Sequence, residues 1–104
     1  MNLSLDDTLK LALACGYEDA YTVKDVKESA VLVPEQGIFN PTSPDTLMRL
    51  MTNPELRLSV KTDWNNPTGW LVYAEPEKYL IRCTTPEQIA DGIIECSMAV
   101  LNNG

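Results

Sequence analysis

The sequence lacks histidine and the short motifs on which many enzyme sites depend. It contains no histidine, and histidine is the commonest general base near neutral pH and the commonest metal ligand. Ser-His-Asp groups, Cys-His groups and H-E-x-x-H zinc sites are therefore excluded, and no phosphate-binding, dinucleotide-binding or calcium-binding loop motif occurs. The adjacent carboxylates at Asp6-Asp7 and Glu18-Asp19 could transfer protons, but such pairs near a helix start are usually solvated and favoured by the helix dipole. We predict a protein that is not an enzyme and that binds no cofactor or metal.

The three cysteines, Cys15, Cys83 and Cys96, are an odd number, so at least one cannot pair within the chain. None forms a C-x-x-C motif, and each lies in an apolar segment. Free cysteine is among the most buried residue types, and disulfides are rare in cytosolic proteins. We expect reduced, buried thiols in a cytosolic protein.

Glu87, Asp91 and Glu95 form a row of carboxylates in a segment with helical periodicity. Residues spaced by four lie above one another on a helix, and no lysine or arginine occurs from Cys83 to the end of the chain. The row indicates either a ridge of negative charge that binds a basic groove, such as one that holds nucleic acid, or an ordinary solvated helix face. Both interpretations stay open.

Two further segments are candidates for contact with a partner. Trp64 begins a turn rich in asparagine, and tryptophan is enriched among interface hot spots. An exposed Trp64 is therefore a candidate anchor, whereas Trp70 is expected in the core. Glu18, Asp19 and Tyr21 mix acidic and aromatic character, which is typical of adaptable binding surfaces and also of segments that only cover a core.

Length and charge limit the kind of partner. A chain of 104 residues is expected to form one domain, over 1–104. Its net charge of −7 argues against direct binding to nucleic acid or to anionic lipid, and favours a partner with a positively charged surface. No apolar run approaches the roughly 20 residues needed to span a bilayer. The N-terminal segment has aspartates where a secretory signal would carry basic residues. We expect a soluble, cytoplasmic protein with no membrane contact.

Caps and periodicity predict three helices. The first covers residues 5–15, with a capping box formed by Ser4 and Asp7, and Gly16 at its end. Its predicted core face, which leaves Leu11 on the polar side, contains Leu5, Leu9, Ala12 and Leu13.

The second and third helices each begin with a cap followed by proline. The second is predicted over residues 44–51 with Ser43 as its cap. Its inward positions are predicted to be Leu47, Met48, Leu50 and Met51, and its outward positions Asp45, Thr46 and Arg49. The third begins after Thr85, with Gln88 completing a capping box. Its apolar face is wide enough to require packing on a sheet and contains Ile89, Ala90, Ile93, Ile94, Cys96, Val100 and Leu101.

The strand pattern is clearest in the second half of the chain. Residues 56–62 alternate apolar and polar side chains, and residues 70–75 and 79–84 read as further strands joined by a tight turn at Pro76-Glu77. These segments predict an antiparallel meander. In the first half, residues 17–42 favour one strand and a long packed loop over a hairpin. The predicted fold class is α+β, with a three- or four-stranded antiparallel sheet and three helices in the order α-(β)-α-β-β-β-α.

Several short motifs together resemble the phage ABA-sandwich domain proteins, small proteins of tailed bacteriophages and prophages. They are a first helix that ends in Ala-Cys-Gly-Tyr, an Asn-Pro entry to a short helix over residues 39–50, a tryptophan-containing hairpin, and a last helix that begins Thr-Pro-Glu-Gln-Ile-Ala. The resemblance implies an α-β-α layered fold and an accessory phage protein in the bacterial host cytoplasm. It supplies no catalytic residues.

The same resemblance suggests the function. Small acidic phage proteins of this kind often look like inhibitors of host defence, including anti-CRISPR proteins, some of which mimic nucleic acid. We expect a monomeric or small homo-oligomeric inhibitor that binds a bacterial defence or nucleic-acid-handling complex through an acidic surface. The alternative is a phage structural or assembly protein that self-associates through an apolar patch near Leu11 or Met98.

Overall fold

The computed structural model describes residues 3–25, 28–75 and 79–102, and its α+β class is the predicted one. The helices are α1 (Leu5–Ala14), α2 (Pro44–Met51) and α3 (Pro86–Asn102). The strands are β1 (Tyr21–Lys24), β2 (Ser29–Val33), β3 (Gly37–Ile38), β4 (Leu58–Thr62), β5 (Trp70–Ala74) and β6 (Tyr79–Cys83). The strands form two antiparallel sheets, which we call the N-terminal sheet (β1-β2-β3) and the C-terminal sheet (β4-β5-β6).

The N-terminal sheet corrects the prediction of one strand and a packed loop for residues 17–42. β1 and β2 pair as an antiparallel hairpin, and the amide of Asp25 donates to the Glu28 carbonyl at 2.8 Å. After β2 the chain reverses again through Glu35 and Gly37, which adopt φ values of 70° and 90°. The left-handed conformation favours glycine at the second of these positions. β2 ends before Pro34, and the chain then turns back and pairs with it as β3.

The C-terminal sheet confirms the predicted meander. β5 is its central strand, and Val72 pairs with Val60 of β4 on one side and with Ile81 of β6 on the other. The predicted tight turn at Pro76-Glu77 lies outside the described residues. Since side chains alternate along a strand, one face of this sheet is apolar and packs on α3.

The helices lie between the two sheets. α1 packs on β1 and β2, α3 packs on all three strands of the C-terminal sheet, and α1, α2 and α3 contact one another. The layer order is therefore sheet, helices, sheet, which differs from the α-β-α order that the resemblance implies. Among the described residues, no strand of one sheet contacts a strand of the other, so the core is built on helix–helix and helix–sheet contacts.

The first helix has the predicted cap but a different buried face. The Ser4 Oγ accepts from the Asp7 amide at 3.0 Å, and Gly16 follows the helix end with φ 95°. Leu11, predicted on the polar side, is completely buried, whereas Leu13, predicted in the core, is 45% exposed. Because α1 contacts both β2 and α3, two of its sides are covered, and a prediction based on one buried face assigns these two residues wrongly.

The second helix also has the predicted bounds and the predicted cap. The Ser43 Oγ accepts from the Thr46 amide at 3.2 Å. Two side-chain predictions were wrong: Thr46 is buried and Met48 is 63% exposed. Burial of a hydroxyl requires hydrogen bonds, and the Thr46 Oγ1 donates to the Asn40 carbonyl at 2.7 Å.

The side chains of Arg49 in α2 and of Asn53, two residues beyond the end of α2, hold the C-terminal end of α1. The last carbonyls of a helix have no partner within the helix. Here Asn53 Nδ2 donates to the Ala14 carbonyl at 2.8 Å, and Arg49 Nη1 donates to the Cys15 carbonyl at 3.1 Å. These hydrogen bonds fix the position of α1 against α2.

The third helix packs closely on the C-terminal sheet at Gly92. A Cβ atom at this position would lie 3.3 Å from both the Cys83 Sγ and a methyl carbon of Val72, so glycine permits the close approach of helix and sheet. The predicted cap at Thr85 is present, because its Oγ1 accepts from the Gln88 amide at 3.2 Å. The Gln88 side chain accepts from the amide of Thr84 at 2.7 Å, one residue earlier than a capping box would place it.

Replacement of Leu11 by alanine tests the corrected core face of α1. We expect L11A to lower the free energy of unfolding by about 2–5 kcal/mol, because a fully buried leucine leaves a cavity. The same replacement at exposed Leu13 is the matched control and should cost less than about 1 kcal/mol. Urea denaturation of both variants measures the difference, and equal losses would contradict the assigned face.

Candidate functional site

The predicted row of carboxylates lies on one face of α3. Because α3 is continuous from Pro86 to Asn102, Glu87, Asp91 and Glu95 lie one turn apart along the same side. Glu87 and Glu95 are exposed and Asp91 is half-buried. We call these three residues the acidic face. Within the described part of the chain, the salt bridges are Arg49–Asp45 and Arg82–Asp63, and neither involves a residue of the acidic face.

Trp64 is exposed, as the anchor interpretation requires. It lies in the turn between β4 and β5, and 79% of its surface is exposed. Trp70, by contrast, is half-buried and packs against the core, as expected. The two tryptophans therefore differ in environment: Trp64 is exposed in the turn, and Trp70 packs against the core.

Hydrogen bonds within the turn hold Trp64 in place. The buried Asp63 carboxylate accepts from the Asn65 amide at 2.9 Å and from Arg82 Nη1 at 2.8 Å. The Asn66 side chain accepts from the amide and the hydroxyl of Thr68 at 3.2 and 2.9 Å. An ordered turn positions an exposed side chain at a low entropy cost on binding.

The tertiary structure places the Trp64 turn next to the segment that leads into α3. The turn joins Thr62 to Trp70, and Trp70 pairs with Cys83 at the end of β6. Three residues after Cys83 the chain enters α3. A Cβ atom added to Gly69 would lie 3.0 Å from the Cys83 carbonyl oxygen. The Trp64 turn therefore lies against the segment that leads to Glu87.

The other predicted site residues lie elsewhere. Glu18 and Asp19 are exposed in the segment before β1, and Tyr21 is exposed at the start of β1. They belong to the N-terminal sheet, whose strands do not contact the C-terminal sheet in the described part of the chain. The predicted candidates therefore form two separate groups.

Tyr17, which precedes Glu18 in the sequence, has a structural role. Its hydroxyl donates to the Asp45 carboxylate at 2.8 Å, its ring meets Phe39 edge to face at 6.2 Å, and the Arg49 guanidinium lies 4.6 Å above that ring. The Tyr17 hydrogen bond and then Arg49 lower the pKa of Asp45, and burial followed by the Asp45 hydrogen bond raises the pKa of Tyr17. This cluster joins the loop after α1 to α2.

Sequence reasoning missed a group of apolar side chains on one side of the N-terminal sheet. It consists of Tyr21, Val23 and Ile38, which are exposed, and Ala30 and Leu32, which are half-buried. Residues 30–33 are all apolar, so the sequence does not show which of them face outward. Leu11 and Met98, near one of which the alternative function expects an apolar patch, are both buried.

The thiols are unreactive in character. Cys15, Cys83 and Cys96 are free and buried. Burial raises the pKa of Cys15 and of Cys96 to about 11, and nearby Asp45 and Glu95 respectively add to the effect. Burial, then Glu95 and Asp91, raise the pKa of Cys83 as well. Nucleophilic cysteine chemistry needs the thiolate, and these environments disfavour it.

The described residues offer neither a candidate metal centre nor a helix that could span a membrane. They contain no group of histidine, cysteine, aspartate or glutamate side chains placed to hold a metal ion. Across ranges 3–25, 28–75 and 79–102, no helix combines the length and the apolar character that a membrane span requires.

Comparison of the chain with protein-family models, with curated proteins and with solved structures finds no match. The function is therefore argued from the surfaces described above.

Thiol reactivity tests the buried positions of the cysteines. We expect the native protein to react with Ellman's reagent at about pH 8 far more slowly than a free cysteine, and the unfolded protein to react at all three thiols. Since burial raises the folded pKa of Cys15 and Cys96 from 9.0 to about 11, their contribution to stability is complete below pH 9 and is lost as the pH rises to about 11. Rapid labelling of the native state would contradict this arrangement.

Proposed function

We propose that this chain is a non-enzymatic inhibitor that binds a basic surface of a bacterial nucleic-acid-handling complex. The observation that carries the proposal is the acidic face of α3, which has no salt bridge to a cation in the described residues. The turn that carries exposed Trp64 lies against the segment that leads into this helix. A negative surface and an aromatic anchor suit a protein partner that normally binds a polyanion.

The electrostatics of the acidic face support this kind of partner. Carboxylates one helical turn apart, about 6 Å along the axis, repel one another in an isolated helix by a few tenths of a kcal/mol per pair. A partner surface of arginine and lysine relieves that repulsion and forms charge-assisted hydrogen bonds. The net charge of −7 also accelerates the encounter with a positively charged surface at low ionic strength.

Trp64 adds the apolar contribution that charges alone lack. Exposed ion pairs each contribute about 0–1 kcal/mol, so a row of carboxylates gives specificity more than affinity. A tryptophan that enters a pocket is the kind of residue that dominates interface energy. The two features together are adequate for a stable complex with a single copy of this chain.

Bacterial defence is the particular setting that we propose. The resemblance to phage ABA-sandwich domain proteins suggests an accessory phage protein of the host cytoplasm, and inhibitors of defence complexes, including anti-CRISPR proteins, are frequent among small acidic proteins of that kind. The inhibitor acts by occupying the nucleic-acid groove of the partner, either by mimicry of the polyanion or by steric block.

The ionisable groups support binding over catalysis. The thiols are buried and held protonated. Asp45, Tyr17 and Arg49, whose pKa values are shifted, are bound to one another in a cluster that joins α1 to α2. Their hydrogen-bonding capacity serves the fold, so they are poor candidates for acid–base work on a substrate.

Charge reversal on α3 tests the proposal. The variant E87K/D91K/E95K should lose capture of its partner from bacterial lysate, because it presents cations to a basic surface. The control E28K/E55K/E75K carries the same net charge, but its changes lie at exposed positions away from the acidic face, and it should keep the capture. Wild-type capture should also fall between about 0.1 M and 0.5 M salt, since salt screens exposed charges. Mass spectrometry of the eluates identifies the partner.

Two results would contradict the acidic-face proposal. One is equal capture of the same partner by both triple variants. The other is capture by the wild-type protein that a short DNA or RNA duplex does not displace, because a groove blocked by this chain cannot also hold nucleic acid.

Truncation of Trp64 tests the anchor separately. W64A should change the free energy of unfolding by no more than about 0.5 kcal/mol, because the side chain is exposed, and should weaken partner binding at least about tenfold. W70A is the contrast, since loss of a half-buried core side chain should destabilise the fold. Urea denaturation and a binding titration with the purified partner separate the two effects, and unchanged affinity of W64A would exclude the anchor.

A further inference from the structure

The outer side of the N-terminal sheet is apolar. In the register of this sheet, Tyr21 pairs with Leu32, Leu32 pairs with Ile38, and Val23 pairs with Ala30. Directly paired residues point to the same side of a sheet, so these five side chains share one surface, which we call the apolar sheet face. Their strand neighbours on the opposite side, such as Val31 and Val33, are buried in the core.

The exposure of this face is unusual for a sheet with one solvated side. Such a side normally carries polar residues, yet Ile38 is 68% exposed and Tyr21 is 48% exposed. The outer side of the C-terminal sheet is mixed by comparison, because Lys61 and Arg82 flank Leu71 there beside the apolar pair of Tyr73 and Leu80. Contiguous exposed apolar side chains with a polar border mark interaction sites.

One end of the apolar sheet face has an acidic border. Glu18 and Asp19 are exposed immediately before β1, and Glu35 is exposed in the turn between β2 and β3. The two segments meet there, since a depression of about 260 Å³ is lined by Glu18 and Asp19 from one and by Pro34 from the other. In the part of the chain that the structure describes, no salt bridge joins any of these three carboxylates to a cation.

We propose that the apolar sheet face is a second interaction surface, which binds an amphipathic helix of a partner protein through that helix's apolar side and through lysine or arginine residues at one end. Three strands at a spacing of about 4.8 Å give a face about 10 Å wide, which matches the diameter of one α-helix. The basic end of the helix lies against Glu18, Asp19 and Glu35. This surface belongs to the N-terminal sheet, whereas the acidic face lies on α3. The inference does not depend on the proposed function.

The charges decide between this occupant and the others that an apolar face could take. In a two-fold dimer a surface meets itself, so a pair of these faces would bring two copies of net charge −7 together. An anionic lipid surface is repelled for the same reason. A helix with basic residues at one end gains from both the apolar burial and the border.

A synthetic peptide of about 18 residues, long enough to form a helix in the bound state, tests the inference. It carries leucines on one side and lysines on the other and near one end. Control peptides replace the leucines by serine or the lysines by glutamate. We expect the leucine–lysine peptide to bind in a fluorescence anisotropy titration, and both control peptides to bind at least about tenfold more weakly.

Matched variants locate the binding surface. Y21T/I38T and, separately, E18Q/D19N/E35Q should each raise the Kd of the leucine–lysine peptide at least about fivefold. Two controls should leave it within about twofold: L80T, at an exposed apolar position on the outer side of the C-terminal sheet, and the charge-matched E28Q/E55Q/E75Q, whose exposed positions belong to neither proposed surface. Circular dichroism and urea denaturation confirm that each variant is folded.

Specific outcomes overturn the inference. Equal affinity of Y21T/I38T and the parent would remove the apolar sheet face as the site. Loss of binding only in a variant neutralised on the acidic face, E87Q/D91N/E95Q, would assign the peptide to that face. A concentration-dependent dimer of the parent that Y21T/I38T abolishes, seen by light scattering, would assign the face to a second copy. Because capture by the acidic face is measured with other variants, its success or failure is independent of these results.

Discussion

Burial of α3 on two sides is the constraint on which the rest of the structure depends. One side packs on the C-terminal sheet through the close approach at Gly92, and another packs on α1 and α2. Residues from Gly92 to Met98 are buried with the exception of Glu95. The strip of α3 that remains in solvent is therefore narrow, and its residues include Glu87 and Glu95. The acidic face is the part of the longest helix that packing leaves free, which is why its negative charge is concentrated along one line.

The second constraint is the end of α1, whose last carbonyls need partners outside the helix. Asn53 and Arg49 supply them, and Arg49 is itself held by Asp45. Asp45, Tyr17 and Arg49, whose pKa values are shifted, take part in this connection, and no buried side-chain nitrogen or oxygen of the described residues lacks a hydrogen-bond partner. These polar groups serve the fold, whereas the molecule's exterior offers two surfaces with distinct chemistry.

Those two surfaces lie on different parts of the fold and differ in physical character. The acidic face on α3 and Trp64 in the turn between β4 and β5 combine charge with one aromatic anchor. At the N-terminal sheet, Tyr21 and Ile38 belong to an apolar face whose acidic border contains Glu35. Charge governs encounter and salt dependence at the first surface, and apolar area governs affinity at the second. A single small chain of this design can contact two elements of a partner complex.

The sequence by itself determined the features that rest on local interactions. The bounds of α2, the caps at Ser4 and Ser43, the meander and the row that begins at Glu87 all follow from neighbours within a few residues or from strict alternation. Only the tertiary structure decided which arc of each helix is buried, because that depends on how many elements pack around it: Leu11 is buried because α1 has neighbours on two sides. The N-terminal sheet was likewise missed, since pairing across Glu35 stabilises strands too short to be recognised alone. The apolar sheet face could not be predicted for the same reason, because an exposed side of a sheet exists only once the strands have paired.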